Sequence, residues 1–166
     1  MSSTSSRPGP EPEFIAVASD HAGFPLKQEI VQALAQMRMP VEDLGCASQE
    51  SVHYPVYGMK VVDALLARPG GMGILVCGTG IGMSMLANRF PGIRAALCHD
   101  LYAAAMCRKH NNANLMVLGG RVIGPDLAKE IVKVWLTTPF EGGRHQERLD
   151  LLEQLAGEAR PWGQAG

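Results

Sequence analysis

A chain of 166 residues with 46% apolar side chains fits one domain with an ordinary hydrophobic core. Its formal net charge of -1 lacks the basic excess of a protein that tracks nucleic-acid phosphates, and no apolar run reaches the roughly 18 residues of a membrane span. The four cysteines, Cys46, Cys77, Cys98 and Cys107, form no C-x-x-C pair and no zinc-finger spacing, so they read as free thiols in a reducing, cytoplasmic setting.

Residues 1–13, MSSTSSRPGPEPE, are Ser/Pro-rich without an apolar core segment and are expected to be a disordered leader rather than a signal peptide. Phe14 to Ser19 is a short continuous apolar run, read as a strand, and Leu26, Ile30, Ala33, Leu34 and Met37 then recur at helical spacing. A weaker strand, Val41 to Gly45, precedes a loop and a helix from about Tyr57 to Ala67. Met72 to Cys77 is the clearest strand. Arg94 to Cys98 and Asn114 to Gly119 are the next two, with a helix from Leu101 to His110 between them. Gly124-Pro125-Asp126 opens a helix running to Thr137, a last helix covers Glu147 to Ala156, and residues 158–166 read as a flexible tail behind a domain at 14–157. Five apolar strands separated by helices predict a parallel sheet covered on both faces, because parallel strands need crossovers. The fold class is α/β, a single-domain Rossmann-like three-layer sandwich.

In such a sheet, ligands bind outside the carboxyl ends of the strands, and three strand ends carry unusual residues. The first gives Ser19-Asp20-His21-Ala22-Gly23, the third Cys77-Gly78-Thr79-Gly80-Ile81-Gly82-Met83-Ser84, and the fourth Cys98-His99-Asp100. Glycines at 78, 80 and 82, between a strand and a helix start, let backbone N–H groups approach an anion such as a phosphate, a carboxylate or an enediolate. Cys77 beside them suits a nucleophile or a base; the plainer alternative is a small core residue closing a strand. Asp20-His21 equally suits a helix cap with a surface imidazole. The loop lacks the Gly-Lys-Ser/Thr of a P-loop, and Met83 stands where a dinucleotide fingerprint needs its third glycine, so Asp100 is not taken as a ribose ligand. Arg144 and Arg148, four apart, would share a helix face suited to phosphate, or be a solvated pair. His110-Asn111-Asn112 would also serve as a plain helix end. The histidine and cysteine spacing suggests no metal set.

Taken together, ASDHAGFPLKQEI, HYPVYG, GILVCGTGIGMSMLANRFPGIRAALC, RKHNNANLMVLGGRVIG and FEGGRHQERLDLL resemble the type B ribose-5-phosphate isomerases, a family that includes allose- and galactose-6-phosphate isomerases. The resemblance runs from Phe14 to about Glu153. It implies an aldose–ketose isomerase without cofactor, in which Cys77 moves a proton between C1 and C2 of an open-chain sugar phosphate. Gly78, Gly80, Ile81 and Gly82, with Thr79, would hold the enediolate. His110 would assist ring opening with Asn111 beside it, Asp20 and Tyr54 would touch sugar hydroxyls, and His21, Arg121, Arg144 and Arg148 would bind phosphate. It further implies a homodimer, or a dimer of dimers, whose sites combine two chains. One branch of the family carries a glutamate base where Met83 stands here, which places this chain with the cysteine-base branch. Six-carbon sugar phosphates are the alternative substrates. A cysteine hydrolase using Cys77 and His110, or a non-catalytic sugar-phosphate sensor, are the alternative classes.

Overall fold

A computed structural model describes residues 11–158. Its chain order is β1 (Phe14–Ser19), α1 (Phe24–Gln36), β2 (Val41–Asp43), α2 (Tyr54–Ala67), β3 (Gly71–Cys77), α3 (Ile81–Ala87), β4 (Ala95–Leu97), α4 (Leu101–Lys109), β5 (Leu115–Gly119), α5 (Pro125–Thr137) and α6 (Arg144–Glu158). The five strands form one sheet in the order β2-β1-β3-β5-β4, all pairs parallel. The expected α/β architecture is therefore what the chain adopts. Most of the leader and the tail lie outside the described residues. Ordered contacts begin before Phe14, since Pro12 is buried and the Glu13 N–H bonds the Gly70 carbonyl at 2.9 Å.

Every residue of β1 and β5 is buried, because helices cover both sheet faces. Alternate residues serve opposite layers. Ile15, Val17, Ile74, Val76, Met116 and Leu118 meet α1, α4 and α5, whereas Ala16, Ala18, Leu75, Cys77, Leu115 and Val117 meet α2 and α3. Leu26, Ile30 and Leu34 form the buried stripe of α1, each stabilising the fold by about 1.5–3 kcal/mol relative to an exposed side chain. Gly23 caps that helix because any Cβ there would run into the Val76 carbonyl of β3.

Several boundaries differ from expectation, and β2 stops at Asp43 rather than Gly45. α2 starts at Tyr54 because Pro55 is favoured in a first helical turn, and β4 shrinks to three residues at the sheet edge. α6 starts at Arg144 and runs to Glu158, so its first turn includes Glu147 near the positive helix end. A buried lysine, unremarked in the sequence, fixes the short β2: Lys27 Nζ donates to both Asp43 carboxylate oxygens (2.6 and 2.8 Å) and to the Cys46 carbonyl (2.8 Å). That clamp anchors the chain leading to residue 52, which reaches back to β1's end.

Candidate active site

The strand order reverses between β1 and β3, the place where a parallel sheet opens a crevice. Ser19 pairs with Val76, so Asp20 and Cys77 follow side by side. Asp20 is buried and its Oδ1 accepts the Gly23 N–H at 2.9 Å, which closes the turn before α1 without capping the helix, whose N-cap is Gly23. His21 Nδ1 accepts the Val52 N–H at 3.2 Å, which puts the proton of the neutral ring on Nε2. The third strand end from the switch point is that of β5, where Gly120 donates to the Cys77 carbonyl (2.8 Å) and Arg121 to the Gly78 carbonyl (3.0 Å). Arg121 then lies over the loop: a Cβ on Gly78 would sit 3.7 Å from its Nη1. The Tyr54 ring covers Gly82, where a Cβ would fall 2.8 Å from Cζ. Asp20, His21, Tyr54, Cys77, Thr79 and Arg121 thus gather at one pole of the sandwich.

Cys77 is 5% exposed and belongs to the layer under α2 and α3. Its sulfur nevertheless accepts the Gly80 N–H at 3.2 Å, so negative charge on it would meet a backbone donor. Gly80 achieves this in the left-handed region (φ 80), which glycine enters without a Cβ clash. The Ile81 N–H turns to Thr79 Oγ1 at 3.3 Å, which leaves the threonine proton free to donate outward. Two of the four expected cradle amides therefore act inside the loop. The amides of Gly78 and Gly82 have no partner among the described residues. With α3 only seven residues long, the cradle relies on these individual donors more than on a helix dipole. Met83 is fully buried, a packing residue as its thioether suggests. Asp100 caps α4 by accepting the Ala103 N–H at 2.7 Å, which agrees with setting it aside as a ribose ligand. Cys98 faces inward to Cys107, with 3.9 Å between their sulfurs.

The remaining expected residues assemble elsewhere. His110 ends α4, and Asn111, Arg144 and Arg148 join it around a cavity of about 360 Å³. The two arginines do share a face of α6. Arg94, just before β4, donates to the Asn111 carbonyl at 3.1 Å, which locates this cavity at the amino ends of β4 and β5. Cys77 pairs with Gly119 at the far end of β5, and five residues of strand rise roughly 13 Å before the turn to His110 is counted. Within one chain, Cys77 and His110 stand at opposite poles.

This second cluster contains a residue to which the sequence reading attached no role. The His145 ring stacks on His110, centroids 4.2 Å apart and planes 12° from parallel. It is buried, and Nε2 has no hydrogen-bond partner; Glu141 Oε2 lies 3.6 Å from it. Burial first, then His110 and Arg144, push the His145 imidazole below the ordinary histidine range, with Glu141 pulling the other way and Arg148 adding to the push. The only signal in the sequence was its place between two arginines. Ligand atoms of His110, Glu141 and His145 lie within 4.8 Å of one another, a grouping that the sequence spacing did not suggest. Rings stacked 12° from parallel hold their in-plane lone pairs in nearly parallel planes, however, so the pairs do not converge on one ion unless the stack breaks.

Among the described residues, no helix is long and apolar enough to cross a membrane. The family model described as Ribose/Galactose Isomerase matches residues 15–152. Ribose-5-phosphate isomerase B of Escherichia coli is 46% identical over 141 residues, 85% of this chain and 95% of that protein. A Thermotoga maritima ribose 5-phosphate isomerase crystal structure superposes with a TM-score of 0.83 at 51% identity, covering 85% of this chain and 97% of the other. The ribose-5-phosphate isomerase B of Mycoplasma genitalium, solved with bound ribulose-5-phosphate, gives 0.84 at 37% identity, covering 89% and 99%. With a match across nearly the whole described chain, and with the glycine cradle, its cysteine and the paired arginines in place, the chain belongs to the ribose/galactose isomerase family.

Proposed function

We propose that the protein interconverts ribose 5-phosphate and ribulose 5-phosphate through an enediolate, with Cys77 as the base. The observation that carries the reading is the contact between Cys77 sulfur and the Gly80 amide at the switch point of the sheet, beside a hydroxyl and two unengaged amides. Cys77 thiolate takes the C2 proton of the open-chain aldose, the electron pair moves toward O1, and the Thr79 hydroxyl with the Gly78 and Gly82 amides meets the developing charge. The O2 hydroxyl passes its proton to O1. As the O2 electron pair forms the C2 carbonyl, the Cys77 thiol returns its proton to C1, giving the ketose and restoring the thiolate. Loss of one such donor typically costs about 2.7–4 kcal/mol of transition-state stabilisation. Asp20 and Tyr54 hold sugar hydroxyls, while His21 and Arg121 complement the phosphate from the cradle side.

His110, Asn111, Arg144 and Arg148 complete the site from a second copy of the chain. Their placement at the opposite pole supports a homodimer with shared sites. So do the apolar side chains left exposed near the two poles: Ile81, Met85 and Tyr102 around the cradle, Leu151, Leu152 and Leu155 on α6. Only His145 and Leu149 of α6 are buried within the chain. In ring opening, the C1–O4 bond breaks with its electron pair leaving on O4, which takes a proton from the His110 imidazolium. The O1 hydroxyl gives its proton to solvent and C1 becomes the aldehyde. Four free thiols fit a cytoplasmic enzyme.

The test is incubation of ribose 5-phosphate in deuterium oxide with the wild type and Cys77→Ala. The wild type is expected to form ribulose 5-phosphate and to place deuterium on carbon, while the variant binds the sugar phosphate and does neither. Turnover retained without the thiol would overturn the base assignment. Binding without turnover by the wild type would favour a sensor.

A further inference from the structure

The His110 ring makes no hydrogen bond to any described residue, although it closes a helix and lines the arginine cavity. A histidine that donates a proton in a defined direction ordinarily has its other nitrogen held by a carboxylate or carbonyl. Here the restraint comes from the flat face of His145, 4.2 Å away. We propose that His145 is a positioning residue for sugar-ring opening: its buried imidazole holds the plane of His110 so that one ring edge faces the cavity. This inference rests on the reading of His110 as the proton donor in ring opening.

Three features support it. His145 sits in the first turn of α6 between Arg144 and Arg148, so one rigid helix carries both the phosphate handles and the surface that orients His110. The linker before α6 is tied to the end of α4, because the Glu141 N–H bonds the Lys109 carbonyl at 3.1 Å and the two side chains approach to 3.7 Å. The distance between proton donor and arginines is thereby set by a closed unit. Finally, the charged groups around His145 are His110, Lys109, Arg144 and Arg148 against the single carboxylate of Glu141. That surplus of positive charge, added to burial, disfavours a proton on His145 itself. The same geometry argues against the metal alternative, because a shared ion needs converging lone pairs that stacked rings do not offer.

Ribulose 5-phosphate separates ring opening from proton abstraction. Its O5 carries the phosphate, so it cannot close a five-membered ring on C2, and deuterium wash-in at its C1 reads the Cys77 step alone. His145→Leu fills the buried space without a flat face, and His145→Phe keeps the face without a proton. The Leu variant is expected to lose about 10–100-fold in kcat on ribose 5-phosphate, the scale of a misplaced reacting group. Its KM and its exchange rate into ribulose 5-phosphate should stay near wild type, and the Phe variant should recover most of the loss. Equal losses in isomerisation and exchange, a rise in KM alone, or no advantage of Phe over Leu would overturn the proposal. Should the Leu variant fail to fold, the Phe variant still decides. Forward turnover close to wild type supports positioning, whereas a loss of 10-fold or more contradicts it. His110→Ala is the control: if it opens ribose as fast as the wild type, the reading of His110 is what fails, while a slow His110→Ala beside an unimpaired His145→Leu sinks this inference alone.

Discussion

The two poles of the sandwich are built by different means. The cradle at the carboxyl ends of the strands is mostly main chain: six consecutive residues supply the sulfur, the hydroxyl and the amides, and neighbouring strands fix their register. The cavity at the amino ends is made of side chains, brought together by two helices whose key residues, His110 and His145, are distant in sequence. Backbone donors cannot swing, so the first pole suits stabilising a charge that develops at a fixed point. Long cationic side chains on α6 suit gripping a phosphate, a task shared by ground and transition states.

The largest effect should come from disabling one pole on each of two chains. Cys77→Ala is expected to lower kcat by about 10²–10⁴, the usual contribution of a positioned base. The double substitution Arg144→Ala/Arg148→Ala should be nearly inactive at low substrate. Co-expressing the two inactive chains would place an intact cradle opposite an intact cavity in one site of each hybrid. Random pairing should therefore recover about a quarter of wild-type activity. No recovery, with hybrids demonstrated by separable tags, would break the division into complementary poles. Next in size, each single arginine variant should raise KM about tenfold or more with kcat nearly held, since a charge-assisted contact is worth about 1.5–3 kcal/mol. A fall in kcat at constant KM would assign the arginines to the chemical step instead.

How much of each pole was legible follows from how it is made. Strand runs such as Phe14–Ser19 and the glycine spacing after Cys77 are local patterns with a direct physical meaning, so the layers and the glycine loop at a strand end could be read ahead, whereas the strand order that sets the switch point could not. What the loop amides do could not, because the left-handed turn at Gly80 directs one donor to sulfur, and the Ile81 amide folds onto Thr79. His145 was invisible for a different reason: its meaning lies in a contact with a helix that precedes it by a strand and another helix. Lys27 is similar, a lysine whose burial is decided by Asp43 on a neighbouring strand.

Glycine substitution compares the poles with a smaller effect. Gly80→Ala meets both the left-handed penalty and crowding by Leu97 and by the Leu118 backbone at 3.2 Å. Gly143→Ala, at φ 55, meets the penalty in open space. The shared cost is about 1–2 kcal/mol, or roughly 2–8 °C in melting temperature for a chain of this size. Gly80→Ala should exceed it and lose turnover as well, whereas Gly143→Ala should not. Equal melting losses would mean that the cradle yields to crowding and is softer than its main-chain construction implies.

The smallest effect is set by acid. The folded-state pKa of His145 lies below its unfolded value of about 6.5. The unfolded chain therefore binds the proton first as pH falls, and stability drops progressively from about pH 6.5 down through the folded value. Above that range the neutral ring is at no disadvantage. His145→Phe removes this site of preferential protonation, so its melting temperature should fall less than that of the wild type between pH 7.5 and pH 5.5. Carboxylates are common to both proteins and cancel in the difference. Parallel melting curves would mean that His145 titrates alike in the folded and unfolded chains. The cavity pole would then be as wet as its exposed arginines, and the contrast with the buried sulfur of the cradle would be one of construction only.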